Sequence, residues 1–181
     1  MKSYAVRTKT EMEDVLMKPG SDGPEIHYHM IRGGSDKSNI TIWETGTIDG
    51  EYIKSYGHYH VGEIEETYNI LQGQGIIILQ GKIVDDNIET FKAMRVKAGD
   101  KIHIPKNMGH LAINTGKIWL VTSDNSPVNF NEENPISAPG HTDYEPFKKM
   151  HGAAYYVVEK NGEPELVKNP HYRNVPEAKI D

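Results

Sequence analysis

Gly57-His58-Tyr59-His60, then Glu66 and Gly73, and further on Gly99, Pro105, His110 and Asn114, are two spaced motifs that make the halves of one candidate metal site. Side chains alternate faces along a strand with period 2, so His58 and His60 share one face. Imidazole and carboxylate are ligand types for a divalent transition metal. Three histidines and one glutamate make a coordination sphere with positions to spare for a substrate. His58, His60, Glu66 and His110 are therefore the candidate metal ligands, and they converge only if the strands carrying them adjoin. Glu65 competes with Glu66 as the carboxylate. Glu66 is preferred because it shares a strand face with Tyr68 and Ile70, whereas Glu65 lies at the edge of the preceding turn.

The His-x-His spacing alone does not make a site. His27 and His29 show it in Glu25-Ile26-His27-Tyr28-His29-Met30-Ile31, where Ile26, Tyr28 and Met30 would form the inward face. That pair reads as structural or solvent-facing. The pair at His58 differs because a carboxylate, a third histidine and the glycine and proline punctuation follow it.

Outward from this stretch the chain is a succession of short β-prone runs. Residues 39–48 are β-rich, and Asp49-Gly50 turns them into residues 51–60, since Asp-Gly between such runs is a hairpin signal. Further strands are expected near 66–71, 75–80, 89–96, 101–104, 110–114 and 117–123. A late hairpin joins Ala154–Val158 to Glu165–Val167 through Asn161-Gly162. Two short helices are expected. One is capped by Thr10, with Glu13 closing a capping box, and stops before Pro19-Gly20. The other runs from Glu145 to Met150, with Pro146 in its first turn and Gly152 past its end. Residues 126–140, rich in Asn, Pro and Glu, are too long for a hairpin and read as a lid or a solvated insertion. Many short, evenly spaced strands imply an all-β, closed architecture, with a jelly-roll barrel the best fit. The expected organisation is an N-terminal extension over 1–35, a β domain over 36–168, and a tail over 169–181 ordered only by docking.

Composition narrows the function. With 181 residues the chain can bury a real core. Lys+Arg of 20 against Asp+Glu of 26 gives a net charge of −6, which argues against nucleic acid or an anionic membrane as partner. The absence of cysteine removes disulfides, thiolate zinc sites and cysteine nucleophiles together. No stretch approaches eighteen apolar residues and the N-terminus lacks the apolar core of a signal peptide, so a cytoplasmic protein is expected.

The two motifs resemble the cupin pattern: Gly, His-x-His and Glu-x6-Gly, then Gly-x5-Pro and His-x3-Asn. Within the cupins the surrounding residues look like the cupin-type phosphoglucose isomerases, described mainly from archaea, from about residue 38 to 169. The most telling piece is Ser55-Tyr56-Gly57-His58-Tyr59-His60 leading into Glu66-Thr67-Tyr68. By this resemblance Thr41 matches a phosphate-contacting threonine. Ser55 stands where the family has a second threonine, and Gly57 matches a glycine whose backbone approaches the phosphate. His141-Thr142-Asp143-Tyr144 is similar to the family's His-Asp-Tyr with one residue inserted, which adds His141 and Tyr144 to the phosphate-binding set. Lys54 or His141 would supply a cation there.

The resemblance implies a cupin jelly roll with minor short helices that binds a sugar phosphate. It implies one divalent metal ion (iron, manganese, nickel, cobalt or zinc). The implied activity is metal-dependent interconversion of glucose 6-phosphate and fructose 6-phosphate through an enediol, a step of glycolysis and gluconeogenesis. Glu66 would carry the proton, and Tyr68, on the same face, would position or protonate an oxygen. A homodimer is expected, with Tyr4 to Thr8 available to pair across it. Two other readings stand beside this one: a cupin dioxygenase built on iron(II), and a non-catalytic sugar-phosphate-binding module. The chain departs from the family in two places. The step from His60 to Glu66 is one residue shorter, and Trp119-Leu120-Val121-Thr122-Ser123-Asp124 lacks a tyrosine that the family has in this region.

Overall fold

Asp49-Gly50 and Asn161-Gly162 each take positive φ at both residues, 45° and 88° at the first turn, 55° and 83° at the second. Two consecutive left-handed residues make the turn whose twist matches that of antiparallel strands. The first closes the hairpin of β4 (Thr47–Ile48) and β5 (Glu51–Tyr52), and the second that of β14 (Tyr155–Lys160) and β15 (Glu163–Lys168). The computed structural model describes residues 4–33 and 39–181. The expected boundary between residues 35 and 36 lies outside the described residues.

The main sheet has six antiparallel strands: β1 (Tyr4–Thr8), β2 (Ile26–Ile31), β3 (Asn39–Trp43), β12 (Leu120–Asp124), β7 (Glu66–Gln72) and β10 (Lys101–Ile104), in that order across the sheet. The facing layer holds β11 (Gly109–Asn114), β8 (Gln74–Gln80) and β9 (Phe91–Lys97). Residues 54–58 run beside β11, with Lys54 bridged to Ile113 and His58 to His110. They lead into β6 (Tyr59–His60), which pairs with β13 (Thr142–Asp143). The inward residues of both layers meet in one core containing Trp43, Ile53, Ile76, Ile78, Ile104, Leu111, Ile113, Leu120 and Phe147. This is the all-β cupin architecture with minor helices.

Several details depart from the sequence reading. The run 39–48 breaks after Trp43, and 51–60 resolves into β5 and β6 with irregular backbone between them. Gly57 sits in that gap at φ 85°, a conformation that a continuous strand does not contain. The first helix, α1 (Lys9–Met12), starts two residues earlier than expected. Thr8 is its cap and Glu11 closes the box, while Glu13 accepts a hydrogen bond from the Gly20 amide instead. The second helix, α2 (Glu145–Lys149), carries Pro146 as expected. The stretch read as an N-terminal extension supplies β1 and β2 to the main sheet and Met12, Val15 and Leu16 to the core.

The two histidines of β2 lie outside the site, in different surroundings. His29 is half-buried and bonded to Tyr4 and Glu44, but His27 is 1% exposed and neither ring nitrogen makes a well-formed hydrogen bond. The C-terminal segment is docked. Asn169 caps the carbonyls of Met150 and Ala153, the buried Tyr172 hydroxyl donates to Gly152, and Asp181 exchanges backbone hydrogen bonds with β9.

Candidate metal centre

Four strand segments place the site. The antiparallel bridge between His58 and His110 closes with mutual backbone hydrogen bonds of 3.2 and 3.0 Å, which fixes both residues opposite each other. His60 lies two residues beyond His58 on the same face, and its ring centroid is 5.0 Å from that of His110. Glu66 opens β7, opposite Ile104 of β10, and turns inward. Its Oε2 lies 3.1 Å from His110 Nε2 and 3.4 Å from His60 Nε2. One ligand atom from each of His58, His60, Glu66 and His110 lies within 4.8 Å of the others.

The remaining contacts aim these groups. His60 Nδ1 is 3.3 Å from the Ile64 carbonyl and His110 Nδ1 is 3.3 Å from the Met108 carbonyl. A proton held on Nδ1 by a carbonyl leaves the Nε2 lone pair for a cation. His60 Nε2, His110 Nε2 and Glu66 Oε2 are buried without a hydrogen-bond partner. Buried polar atoms are rarely left so, because each costs about 1–3 kcal/mol. A cation among them would satisfy all three. Burial, then the neighbouring His110, holds His58 well below the usual imidazole range. For Glu66 burial opposes ionisation, but the close approach of the His110 and His60 rings outweighs it and holds the carboxyl well below its usual range. The donor set at neutral pH therefore includes a neutral imidazole and a carboxylate, the forms that bind a metal. Glu65, the competing carboxylate, is exposed and lies 4.0 Å from His103 at the surface.

A cavity opens from this cluster across the inner face of the main sheet. His58, Glu66 and Tyr68 line one part of it, and Thr41, Ser55, Gly57, His141 and Tyr144 also contribute to its wall. All the residues expected to bind phosphate thus reach one cavity, but with unequal freedom. The Ser55 hydroxyl is engaged with β11, donating to the Ala112 carbonyl and accepting from its amide. Thr41 Oγ1 accepts from Arg32 at 3.1 Å. Tyr144 donates to the Ser137 carbonyl, and its ring stacks edge-on against Tyr56. Burial, then Glu66, holds the Tyr68 hydroxyl protonated well above the usual phenol range. Burial and His60 lower His141.

Lys54 does not reach the cavity. Its ammonium is buried on the far side, bonded to Glu51 and to the Val15 carbonyl, with the Tyr156 ring 5.0 Å away. The cation in the wall is Arg32, which the sequence reading missed. Strand parity could have found it, because Tyr28, Met30 and Arg32 fall on alternate positions and the first two are buried. Segment 126–140 covers part of the cavity with Ser126, Val128, Ile136 and Pro139. It is held by Arg7, which donates to the Ser137 carbonyl at 2.6 Å, and by the Gly140 amide donating to Glu132.

A jelly roll that gathers three histidines and a glutamate at the inner end of a polar cavity defines a cupin with a site suited to a divalent metal. The family described as glucose-6-phosphate isomerase (GPI) matches residues 21–174, and the chain belongs to this family. It is 27% identical over 135 residues to a glucose-6-phosphate isomerase of Pyrococcus horikoshii and 28% identical to one of Pyrococcus abyssi. Each alignment covers 74% of this chain and 63% of the relative, so the match spans less than two thirds of either relative's length. Among solved structures, a predicted oxalate decarboxylase from Thermotoga maritima overlaps 58% of this chain and 81% of its own at 22% identity and a TM-score of 0.41. CapF from Staphylococcus aureus with an inhibitor overlaps 71% of this chain and 33% of its own at 20% identity and a TM-score of 0.43.

Proposed function

We propose that this protein interconverts glucose 6-phosphate and fructose 6-phosphate with one divalent metal ion held by His58, His60, Glu66 and His110. The observation that carries the reading is the convergence of four donor atoms within 4.8 Å at one end of a cavity whose wall also holds Thr41 and Arg32. Membership of the isomerase family and the two named relatives support the substrate class.

The reaction moves a proton between C1 and C2 of the sugar and passes through an enediol. A metal ion bound here would polarise the oxygens on those carbons and stabilise developing negative charge. Glu66 is the proton carrier in this reading: it is ionised, buried and at the inner end of the cavity. Tyr68 stays protonated through burial and serves as a hydrogen-bond donor to a substrate oxygen. Thr41, on β3, lies across β12 from Glu66 on β7, so the cavity runs from a hydroxyl-bearing end to the metal end. A homodimer belongs to the same proposal. It is supported by the edge position of β1, whose Tyr4 is 50% exposed.

The deciding assay follows fructose 6-phosphate conversion by metal-stripped protein reloaded with iron, manganese, nickel, cobalt or zinc in turn. Turnover that returns with metal, with solvent deuterium entering the product at C1 or C2, supports the reading. Tight binding without turnover in every metal form would replace it with a binding module, and oxygen consumption would replace it with a dioxygenase.

A further inference from the structure

The phosphate of a sugar phosphate carries close to two negative charges at neutral pH. The cavity that would receive it already holds the carboxylate of Glu66 and the buried Asp124. Asp124 Oδ1 is saturated by Asn39 Nδ2 at 2.7 Å, the Ser126 hydroxyl at 2.6 Å and the Ser126 amide at 3.1 Å, so it fastens the start of segment 126–140. A dianion enters such a wall only against an opposing positive charge. Among the described residues Arg32 is the one guanidinium or ammonium group in that wall.

Its geometry suits the task. Nη1 donates to the Ile40 carbonyl at 3.0 Å, to Thr41 Oγ1 at 3.1 Å and to the Ile31 carbonyl at 3.3 Å, which pins the group to the β2–β3 margin. A guanidinium has five N–H donors, and among the described residues those on Nη2 and Nε have no partner, which leaves a planar fork that fits phosphate oxygens. The same contact orients Thr41. A hydroxyl that accepts from Arg32 keeps its own proton to donate. Ser55, by contrast, spends its hydroxyl on Ala112.

We propose that Arg32, which the family resemblance does not supply, is the charged anchor for the phosphate beside Thr41 and selects the phosphorylated sugar. This deepens the isomerase reading and rests on it for the identity of the sugar, but not for the binding of phosphate. The test is calorimetric titration of inorganic phosphate, fructose 6-phosphate and neutral fructose into metal-loaded protein, for the native chain, Arg32→Gln and Arg32→Lys. Charge-assisted hydrogen bonds are strong enough that Arg32→Gln should weaken phosphate and fructose 6-phosphate by about 10–100-fold while fructose and metal content are unaffected. Arg32→Lys restores charge without the fork and should fall between.

Equal phosphate affinity in the native chain and Arg32→Gln overturns the proposal, and so does a native chain that binds no phosphate. If Arg32→Gln does not fold, Arg32→Lys decides alone: a several-fold drop supports the anchor and an unchanged affinity overturns it. The two readings separate cleanly. Weakened phosphate binding in a protein that turns over no sugar phosphate with any metal leaves Arg32 standing and removes the isomerase. Full turnover with phosphate affinity independent of Arg32 does the reverse.

Discussion

His110 is the residue on which the candidate metal cluster depends most. It is fully buried, pairs through its backbone with His58, approaches Glu66 through Nε2 and is oriented through Nδ1 by Met108. Replacing it with alanine removes a proposed ligand and also one of the neighbouring rings that keep Glu66 ionised. Loss of a group that merely orients a ligand costs about 10–100-fold in metal affinity, and loss of the ligand itself should cost more. Metal analysis of dialysed His110→Ala should therefore find it essentially empty beside a loaded native protein; full occupancy would remove His110 from the ligand set. At this scale the clustered side chains were legible because strand parity and glycine punctuation are local signals. Arg32 escaped because it lies one residue past the end of β2 and its apolar run. The engagement of Ser55 could not be read at all, since its partner Ala112 is 57 residues away and is met only when residues 54–58 run beside β11.

Among the elements, the irregular stretch between β5 and β6 does most to aim the site, and Gly57 is its pivot. At φ 85° any side chain is strained, and a Cβ there would meet Phe147 Cδ1 at 2.9 Å. Gly57→Ala should cost about 1–2 kcal/mol from the left-handed backbone alone, with the Phe147 contact adding to it. For a chain of this size each kcal/mol lowers the melting temperature by about 2–4 °C. Because His58 is the next residue, the melting-temperature gain on adding metal should shrink as well. A variant that melts with the native protein and gains as much from metal would show that the pivot is dispensable. The turns at Asp49-Gly50 and Asn161-Gly162 were legible because their chemistry is local. The capping box was read two residues late because Thr10 and Glu13 match the same pattern as Thr8 and Glu11. Tertiary contact separates them, since Glu13 is drawn to the Gly20 amide.

The molecule as a whole closes its two layers over a core that contains one histidine with no part in the site. His27 is 1% exposed, and burial followed by the charge of Lys54 lowers its pKa from 6.5 to about 4. Sequence alone could not place it, because β2 is buried on Tyr28 and Met30 and also at His27 on the opposite face, which breaks the alternation. Between pH 6.5 and 4 the unfolded chain binds a proton on this ring and the folded chain does not, so stability falls as pH is lowered through that window. One pKa unit corresponds to 1.36 kcal/mol, which makes the full contribution about 3 kcal/mol below pH 4. Paired and buried carboxylates titrate in the same region, so the native curve alone does not isolate the ring. His27→Leu removes the titrating group and its two unpartnered nitrogens while keeping a side chain of similar volume. Chemical denaturation of the two proteins from pH 7.5 to 4 should give curves that diverge below pH 6.5, with the leucine variant losing about 3 kcal/mol less by the acid end. Its stability at pH 7 should change little, because the ring's contact with the Lys54 backbone falls short of a well-formed hydrogen bond. Curves that stay parallel across the window would mean that the folded protein protonates His27 as readily as the unfolded chain does, and that the pocket around it admits water.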